Sequence, residues 1–188
     1  AIGAVGSDKS PWGQSLWCHA LSAAWACRLM GRHVRQVDVE AAFLMGLLHD
    51  VGLQLLLVLR ESEMNQLLDT HGMEPSVLLQ AERELLGTDH AELGAACLRR
   101  WSLPDAVTDA VAYHHQPIGA VGMARPRDVA LLQVADAFAD AMLTADGPDA
   151  LAAHAYAQPG AAVLRAVRGA YERVAIDLWA HRDHLGEL

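Results

Sequence analysis

Apolar residues recur every three or four positions through most of the chain after Trp12, which is the spacing of one face of an α-helix. The first stripe reaches Met30 and stops at Gly31, a residue type that commonly ends helices. The chain also contains 34 alanines, the strongest helix formers, whereas isoleucine, threonine and aromatic residues are scarce. The sequence therefore predicts an all-α protein, folded as a compact bundle of many helices.

Capping residues and glycine or proline breaks divide this pattern into separate helices. Asp38 is a good N-cap for the second helix, and Asp89 with Glu92 forms a capping box before a later one. The predicted helices cover residues 11–30, 39–48, 53–59, 61–86 with an interruption at 71–72, 89–101, 102–115, 128–145 and 161–181.

The length of 188 residues predicts one domain that can bury a core without disulfides or a structural metal. We expect residues 1–11 to be an N-terminal tail or a remnant of a longer chain. Residues 12–145 would form the helical domain, and residues 146–188 a C-terminal helical extension packed on it. The three cysteines have neither disulfide nor zinc-knuckle spacing, which favours free thiols in the reducing cytoplasm.

The charge balance limits the partners. Fourteen basic residues oppose 23 acidic ones, so the net charge of −9 disfavours nucleic acids and anionic membranes.

The chain start lacks the basic and apolar regions of a signal peptide. Residues 41–59 approach the length of a membrane span, but they carry His49, Asp50 and Gln54 at their centre. A carboxylate there would cost about 2.5–3.5 kcal/mol on insertion, so we expect two core helices meeting at a polar turn and no membrane insertion.

The ten histidines fall into two groups by position. Five lie in loops, at helix ends or in the tail and are predicted to be surface residues: His33, His71, His154, His181 and His184. The other five lie, with two aspartates, on the apolar faces of predicted helices: His19, His49, Asp50, His90, His114, His115 and Asp136.

These seven inward polar residues predict a shared site. One inward histidine is usually a satisfied core residue, but seven unpaired buried polar groups would each cost several kcal/mol. The simplest solution is that they satisfy one another around a cation. Five imidazoles and two carboxylates suit Fe, Mn, Zn or Ni better than Ca or Mg, with room for one or two ions. The alternative is a hydrogen-bond network without metal.

The motifs around these residues resemble a known family. His19 is followed by Gly46-Leu-Leu-His-Asp-Val-Gly52, Leu86-Gly-Thr-Asp-His-Ala-Glu-Leu-Gly94, Trp101-Ser-Leu-Pro104 and Tyr113-His-His-Gln-Pro117. Over residues 12–136 this order is similar to the HDOD domain, a relative of the HD and HD-GYP metal-dependent phosphohydrolases. The resemblance implies an HD-domain-like helical bundle and a regulatory role in bacterial signal transduction. Its expected partners are other signalling proteins or domains, with a nucleotide as a possible ligand.

The phosphohydrolase relatives place metal ligands at positions that match all seven inward residues. Three departures concern the residues around the metal shell. Leu53 stands where those relatives carry a phosphate-holding lysine, and Ser15 stands where they carry a carboxylate. The Gly-Tyr-Pro signature is replaced by Gln116-Pro-Ile-Gly119. The resemblance therefore implies that the metal ligands are present but that the residues which hold substrate are not.

Two functions from different classes follow. In the first, the domain is regulatory and non-catalytic, and its His/Asp cluster binds metal or orders the core. In the second, it is an active phosphodiesterase or phosphatase on a nucleotide-type substrate, with Asp50 as the catalytic residue. An anionic substrate needs cations beside the metal, but Arg28, Arg99 and Arg100 do not fall on the stripe that carries the ligands. The regulatory function is therefore favoured.

Overall fold

In the computed structural model, residues 11–72, 75–142, 145–158, 160–164 and 169–182 are described, and they contain α-helices and no β-strand. This confirms the all-α prediction. The helices are α1 (Pro11–Gly31), α2 (Val39–Leu48), α3 (Val51–Leu59), α4 (Glu61–His71), α5 (Pro75–Leu86), α6 (His90–Arg100), α7 (Asp105–Tyr113), α8 (Pro126–Ala141), α9 (Pro148–Ala157), α10 (Gly160–Val163) and α11 (Tyr171–His181).

The two predicted N-caps are confirmed. The Asp38 side chain accepts hydrogen bonds from the backbone N–H groups of Glu40 and Ala41 at the start of α2. The Asp89 side chain accepts from the N–H of Glu92 at the start of α6, while the Glu92 carboxylate accepts from the Thr88 hydroxyl. Local side-chain chemistry therefore sets where these two helices begin.

Several predicted boundaries were wrong. Helices α3 and α8 each begin two residues earlier than expected, and Pro104 is the N-cap of α7 rather than part of its first turn. Helix α9 was not among the predicted helices; it begins at Pro148 after the N-cap Gly147, because proline is well tolerated at the first helical position. The single helix expected over 161–181 is instead two helices: α10 packs on α8 and α9, and α11 packs on α9 and α1.

The main core surrounds α8, in which 11 of 16 residues are buried. Helices α1, α2, α6 and α7 contribute to this core, and so do Leu151 of α9 and Leu178 of α11. The C-terminal helices thus pack into the same apolar core as the helices before them. The division into domains at residues 11 and 145 stays a prediction, and residues 1–10 lie outside the described part of the chain.

A second, smaller apolar cluster joins α3, α4 and α5 to the start of α1. It contains Leu16, Leu53, Met64, Leu68 and Leu78 among its buried members. This cluster lies beside the main core and places α5 over one side of the seven inward polar residues.

The apolar segment Val39–Leu59 is long enough to cross a membrane by length and composition alone. In the fold it is two helices, α2 and α3, joined by a turn at His49 and Asp50, as the sequence predicts. More than half of its most apolar stretch is buried inside the protein. The turn therefore carries two polar side chains into the interior.

Two glycines allow close helix contacts on either side of this turn. A Cβ atom on Gly46 would lie 2.5 Å from the backbone of Ala23 and Ala24 in α1. A Cβ atom on Gly52 would overlap the backbone carbonyl of His90 at the start of α6. Only glycine permits these approaches, so both bring the His49-Asp50 turn against its neighbouring helices.

We expect Gly52→Ala to destabilise the fold by about 1–3 kcal/mol or more, because α3 and α6 must separate to admit the methyl group. Gly13→Ala is the matched control, since no atom lies within 4 Å of its added Cβ. That control should change the free energy of unfolding by less than about 1 kcal/mol. Urea unfolding measures both, and equal stabilities would contradict the close contact at Gly52.

Candidate metal centre

The seven inward polar residues come from separate parts of the fold and meet at one place. His19 lies in α1, His90 begins α6, and Asp136 lies in α8. His49 and Asp50 form the turn between α2 and α3, and His114 and His115 follow α7. Four of the seven are buried: His49, Asp50, His90 and His114. The structure therefore brings all seven together, and that they bind metal stays a prediction.

The first group consists of His19, His49 and Asp136. His19 Nε2 lies 2.9 Å from Asp136 Oδ1 and 3.1 Å from His49 Nε2. His49 Nε2 lies 3.4 Å from the same Asp136 oxygen. Three ligand-type atoms thus face one small volume.

The second group consists of His90, His114, His115 and Asp50. The Nε2 atoms of His90 and His115 are 3.0 Å apart. Asp50 Oδ1 lies 3.6 Å from His90 Nε2 and 3.7 Å from His114 Nε2. Within each group, one ligand-type atom of every residue lies within 4.8 Å of the others.

Asp50 lies between the two groups. Its Oδ2 atom is 3.2 Å from His49 Nε2 in the first group, while its Oδ1 atom faces His90 and His114 in the second. One carboxylate therefore presents a separate oxygen to each group, as a bridging ligand does in a two-metal site.

Backbone carbonyls orient two of the histidine rings. His49 Nδ1 donates to the carbonyl of Gly46, and His114 Nδ1 donates to the carbonyl of Val111, both at 2.7 Å. These bonds leave Nε2 of each ring directed into the cluster. His114 Nε2 is buried and has no hydrogen-bond partner. A buried ring nitrogen without a partner is costly unless another group binds it.

Glu82, a fully buried carboxylate in α5, was not predicted as a site residue. Its two oxygens lie 3.1 and 2.8 Å from His90 Nδ1, and one of them also accepts from the His90 backbone N–H at 2.8 Å. A carboxylate behind a ligand histidine is a common second partner in metal sites. Its position four residues after Leu78, on the apolar stripe of α5, was the available signal.

Asp140, one turn after Asp136 in α8, was also missed. Its Oδ1 atom lies 3.4 Å from His19 Nδ1, and its side chain is 64% exposed. It stands at the mouth of the cluster and adds a negative charge there. The i, i+4 spacing from Asp136 places both carboxylates on one face of α8.

Burial and neighbouring charges act in opposite directions on the pKa of His49 and of Asp50, whereas they act together on His115. Burial alone would lower the pKa of His49, but the carboxylates of Asp50 and Asp136 outweigh it and raise that pKa well above 6.5. Burial alone would raise the pKa of Asp50, but the charge of His49 holds it well below the ordinary value. Burial, with the nearby His114 and His90, lowers the pKa of His115 to about 2.

The donor set fits a transition metal. All five histidines present Nε2 to the cluster. Ligand nitrogens about 2.0–2.1 Å from one ion stand roughly 3.0–3.4 Å apart at ordinary bond angles. The observed spacings of 3.0 Å (His90 to His115) and 3.1 Å (His19 to His49) lie in that range. The unpartnered His114 Nε2 adds a further nitrogen that a cation would satisfy.

The histidines predicted to be surface residues lie away from the cluster where the structure describes them. His33, His154 and His181 are exposed, as the sequence predicts. The side chain of His71 and all of His184 lie outside the part of the chain that the structure describes. None of the three exposed histidines belongs to either ligand group.

A small pocket opens onto the cluster, lined by His19, Asp50, Leu53, Pro75, Leu78, His90, His115, Asp136 and Asp140. Among the described residues that line it, none is lysine or arginine. Leu53 is 1% exposed and presents an apolar side chain to the pocket. The pocket therefore offers imidazoles and carboxylates, but its described lining supplies no lysine or arginine to hold an anionic substrate.

The HDOD domain family model matches residues 7–117, which is more than half of the chain. The chain belongs to the HDOD family. The match includes six of the seven inward polar residues, and Asp136 lies beyond it. This confirms the family that the sequence motifs resemble.

Solved structures agree with this HDOD assignment. An HDOD domain protein of unknown function from Geobacter sulfurreducens is 27% identical with a TM-score of 0.71, over 98% of this chain and 67% of that one. The MmoQ response regulator from Methylococcus capsulatus strain Bath is 28% identical with a TM-score of 0.64, over 81% and 60%.

Curated relatives include ribonuclease Y from two strains of Thermus thermophilus. Each is 29% identical over 112 residues, which is 60% of this HDOD chain. The chain spans only 15% of the length of these relatives. The similarity therefore concerns a small part of each ribonuclease.

We expect zinc affinity to rise with pH. Despite burial, neighbouring carboxylates raise the pKa of His19, His49 and His90, and for His90 the main one is Glu82. These rings therefore carry protons near pH 6.5 that a metal must displace. Affinity should increase about tenfold per pH unit for each displaced proton between about pH 6 and pH 8. Chelator competition measures this, with the exposed His33→Ala as control. An affinity independent of pH would contradict the predicted proton displacement.

Proposed function

We propose that this HDOD domain is a regulatory module of bacterial signal transduction whose buried cluster binds one or two divalent transition-metal ions: Fe, Mn, Zn or Ni. The observation that carries the proposal is the convergence of five histidine Nε2 atoms and two carboxylates, with the buried His114 Nε2 unpartnered. Without a metal, that nitrogen makes no hydrogen bond, and the Asp50 Oδ1 atom that faces it lies 3.7 Å away.

The two groups would hold separate ions. Asp50, His90, His114 and His115 form the more enclosed group, rich in nitrogen ligands. His19, His49 and Asp136 form the more open group, beside Asp140. This mixture of imidazole and carboxylate favours first-row transition metals over Ca or Mg.

The pocket supports regulation over hydrolysis. Anionic phosphate substrates are usually held by lysine or arginine, and none of the described residues that line this pocket is either. Leu53 and the exposed carboxylate of Asp140 make the mouth unfavourable for a phosphate. Similarity to the MmoQ response regulator also supports a signalling role.

The second candidate is a metal-dependent phosphohydrolase acting on a nucleotide-type substrate, and the position of Asp50 favours it. Asp50 presents one oxygen to each ligand group, as a bridging carboxylate does in two-metal hydrolases. A bound divalent ion would supply Lewis-acid polarisation of a phosphoryl oxygen. Asp50 would then help to hold the metal, while the charges of His49 and His90 keep its carboxylate ionised.

Compartment and partners are also part of the proposal. We place the domain in the cytoplasm, where other signalling proteins or domains, and a nucleotide, are its expected partners. Nucleic acid is not proposed as a partner, although ribonuclease Y is among the relatives, because the net charge of −9 opposes binding to phosphate backbones.

Metal analysis tests the metal centre. Protein purified without added metal should contain about one or two transition-metal ions per chain by mass spectrometry. His114→Ala removes one ligand and should lower metal content and melting temperature, whereas His33→Ala, at an exposed position, should change neither. The metal centre would be contradicted if the protein contained no stoichiometric metal and if His49→Ala left the melting temperature unchanged.

A hydrolysis assay separates the two functions. Metal-loaded protein should not release product from bis(p-nitrophenyl) phosphate above the rate of the metal solution alone, because no described residue that lines the pocket is a lysine or an arginine. Phosphodiester cleavage that disappears in Asp50→Ala, but persists in the exposed-residue variant Asp69→Ala, would show that the domain is an enzyme.

A further inference from the structure

Glu82 is buried at an energetic cost that its contacts must offset. Its side chain is 0% exposed, and a buried carboxylate is stable only when it is well hydrogen-bonded. Among the residues that the structure describes, its hydrogen bonds go to His90: both oxygens face Nδ1, and one also accepts from the backbone N–H. The stability of buried Glu82 therefore depends on the hydrogen bonds that His90 donates to it.

Helix α5, which carries Glu82, has few other anchoring contacts: Leu78 packs in the smaller apolar cluster, and Arg83 pairs with Asp89. Leu78, Leu79 and Glu82 are its buried residues, and α5 packs chiefly against α4. By contrast, the central α8 has most of its residues buried. Regions with few buried apolar contacts open most easily, so the docking of α5 depends strongly on the Glu82–His90 contact.

We propose that Glu82 is a positioning residue of the metal centre and that it couples the docking of α5 to metal occupancy at His90. This inference rests on the proposed function. When His90 Nε2 binds a metal, its ring proton resides on Nδ1, the atom that faces Glu82. A docked Glu82 favours that tautomer and ring orientation, and a metal at Nε2 makes Nδ1–H a stronger donor. Each event therefore favours the other.

The same helix covers the pocket. Pro75 and Leu78 of α5 line the opening onto the cluster, on the same helix as Glu82. A second link joins α5 to α6 through the ion pair between Arg83 and Asp89. Docking of α5 thus narrows the opening while Glu82 orients His90. The consequence is a metal-dependent change in a surface helix, which is what a regulatory module requires.

The test compares Glu82→Gln with Glu84→Gln. Both changes remove a carboxylate from α5, but Glu84 is exposed and contacts Gln80 rather than the cluster. Glutamine keeps the shape of Glu82 and removes its buried charge, so folding of the variant is expected. Circular dichroism and the melting temperature of metal-free protein check this.

Two measurements follow for the full chain: zinc affinity by chelator competition, and hydrogen exchange of residues 75–86 with and without zinc. We expect Glu82→Gln to weaken zinc binding about 10–100-fold, while Glu84→Gln binds as the parent does. Zinc should slow exchange of α5 in the parent and in Glu84→Gln, and this protection should be lost in Glu82→Gln at saturating zinc.

The outcomes distinguish this inference from the proposed function. If the parent binds no zinc or other transition metal, the proposed function itself fails. If the parent binds zinc but both variants bind equally well, Glu82 is not a positioning residue. If zinc binds without slowing exchange in α5, the coupling of α5 to the metal centre is wrong.

Discussion

The buried carboxylate of Asp50 is the interaction on which the rest of the structure depends. It lies in the middle of the most apolar segment of the chain, where an unpaired charge would be strongly unfavourable. Histidines from the turn after α2, the start of α6 and the end of α7 lie within 3.7 Å of it. Helices distant in sequence are therefore held around one charge, and the same arrangement creates two groups of metal-ligand atoms.

Close backbone packing makes this convergence possible. Gly46 and Gly52 flank the His49-Asp50 turn and let α2 and α3 approach α1 and α6 nearly to backbone contact. Ligand spacing near 3 Å requires such approach, because imidazole side chains are short relative to the usual distance between packed helices. The small residues at these contacts are therefore needed for the geometry of the site. A methyl group at either glycine would disturb both the helix packing and the spacing of the ligand atoms.

Much of this could be predicted from sequence, for reasons visible at particular residues. The period of 3.6 residues and the caps at Asp38 and Asp89 predicted most helices, and inward polar positions predicted the seven clustered residues. The missed features depend on tertiary context. Helix α9 begins at a Gly-Pro pair that also suits a loop. In the sequence Glu82 is one acidic residue of an amphipathic helix, and only the fold shows His90 beside it.

The sequence by itself determined the helical class, the family and the residues that turn inward, because each follows from local spacing and motif order. Only the tertiary structure decided how these residues are grouped, that Asp50 presents one oxygen to each group, and that α5 covers the pocket with Glu82 behind His90. Periodicity identifies the apolar face of each helix, but it does not specify which faces meet. That depends on the packing of side chains from segments as far apart as His19 and Asp136.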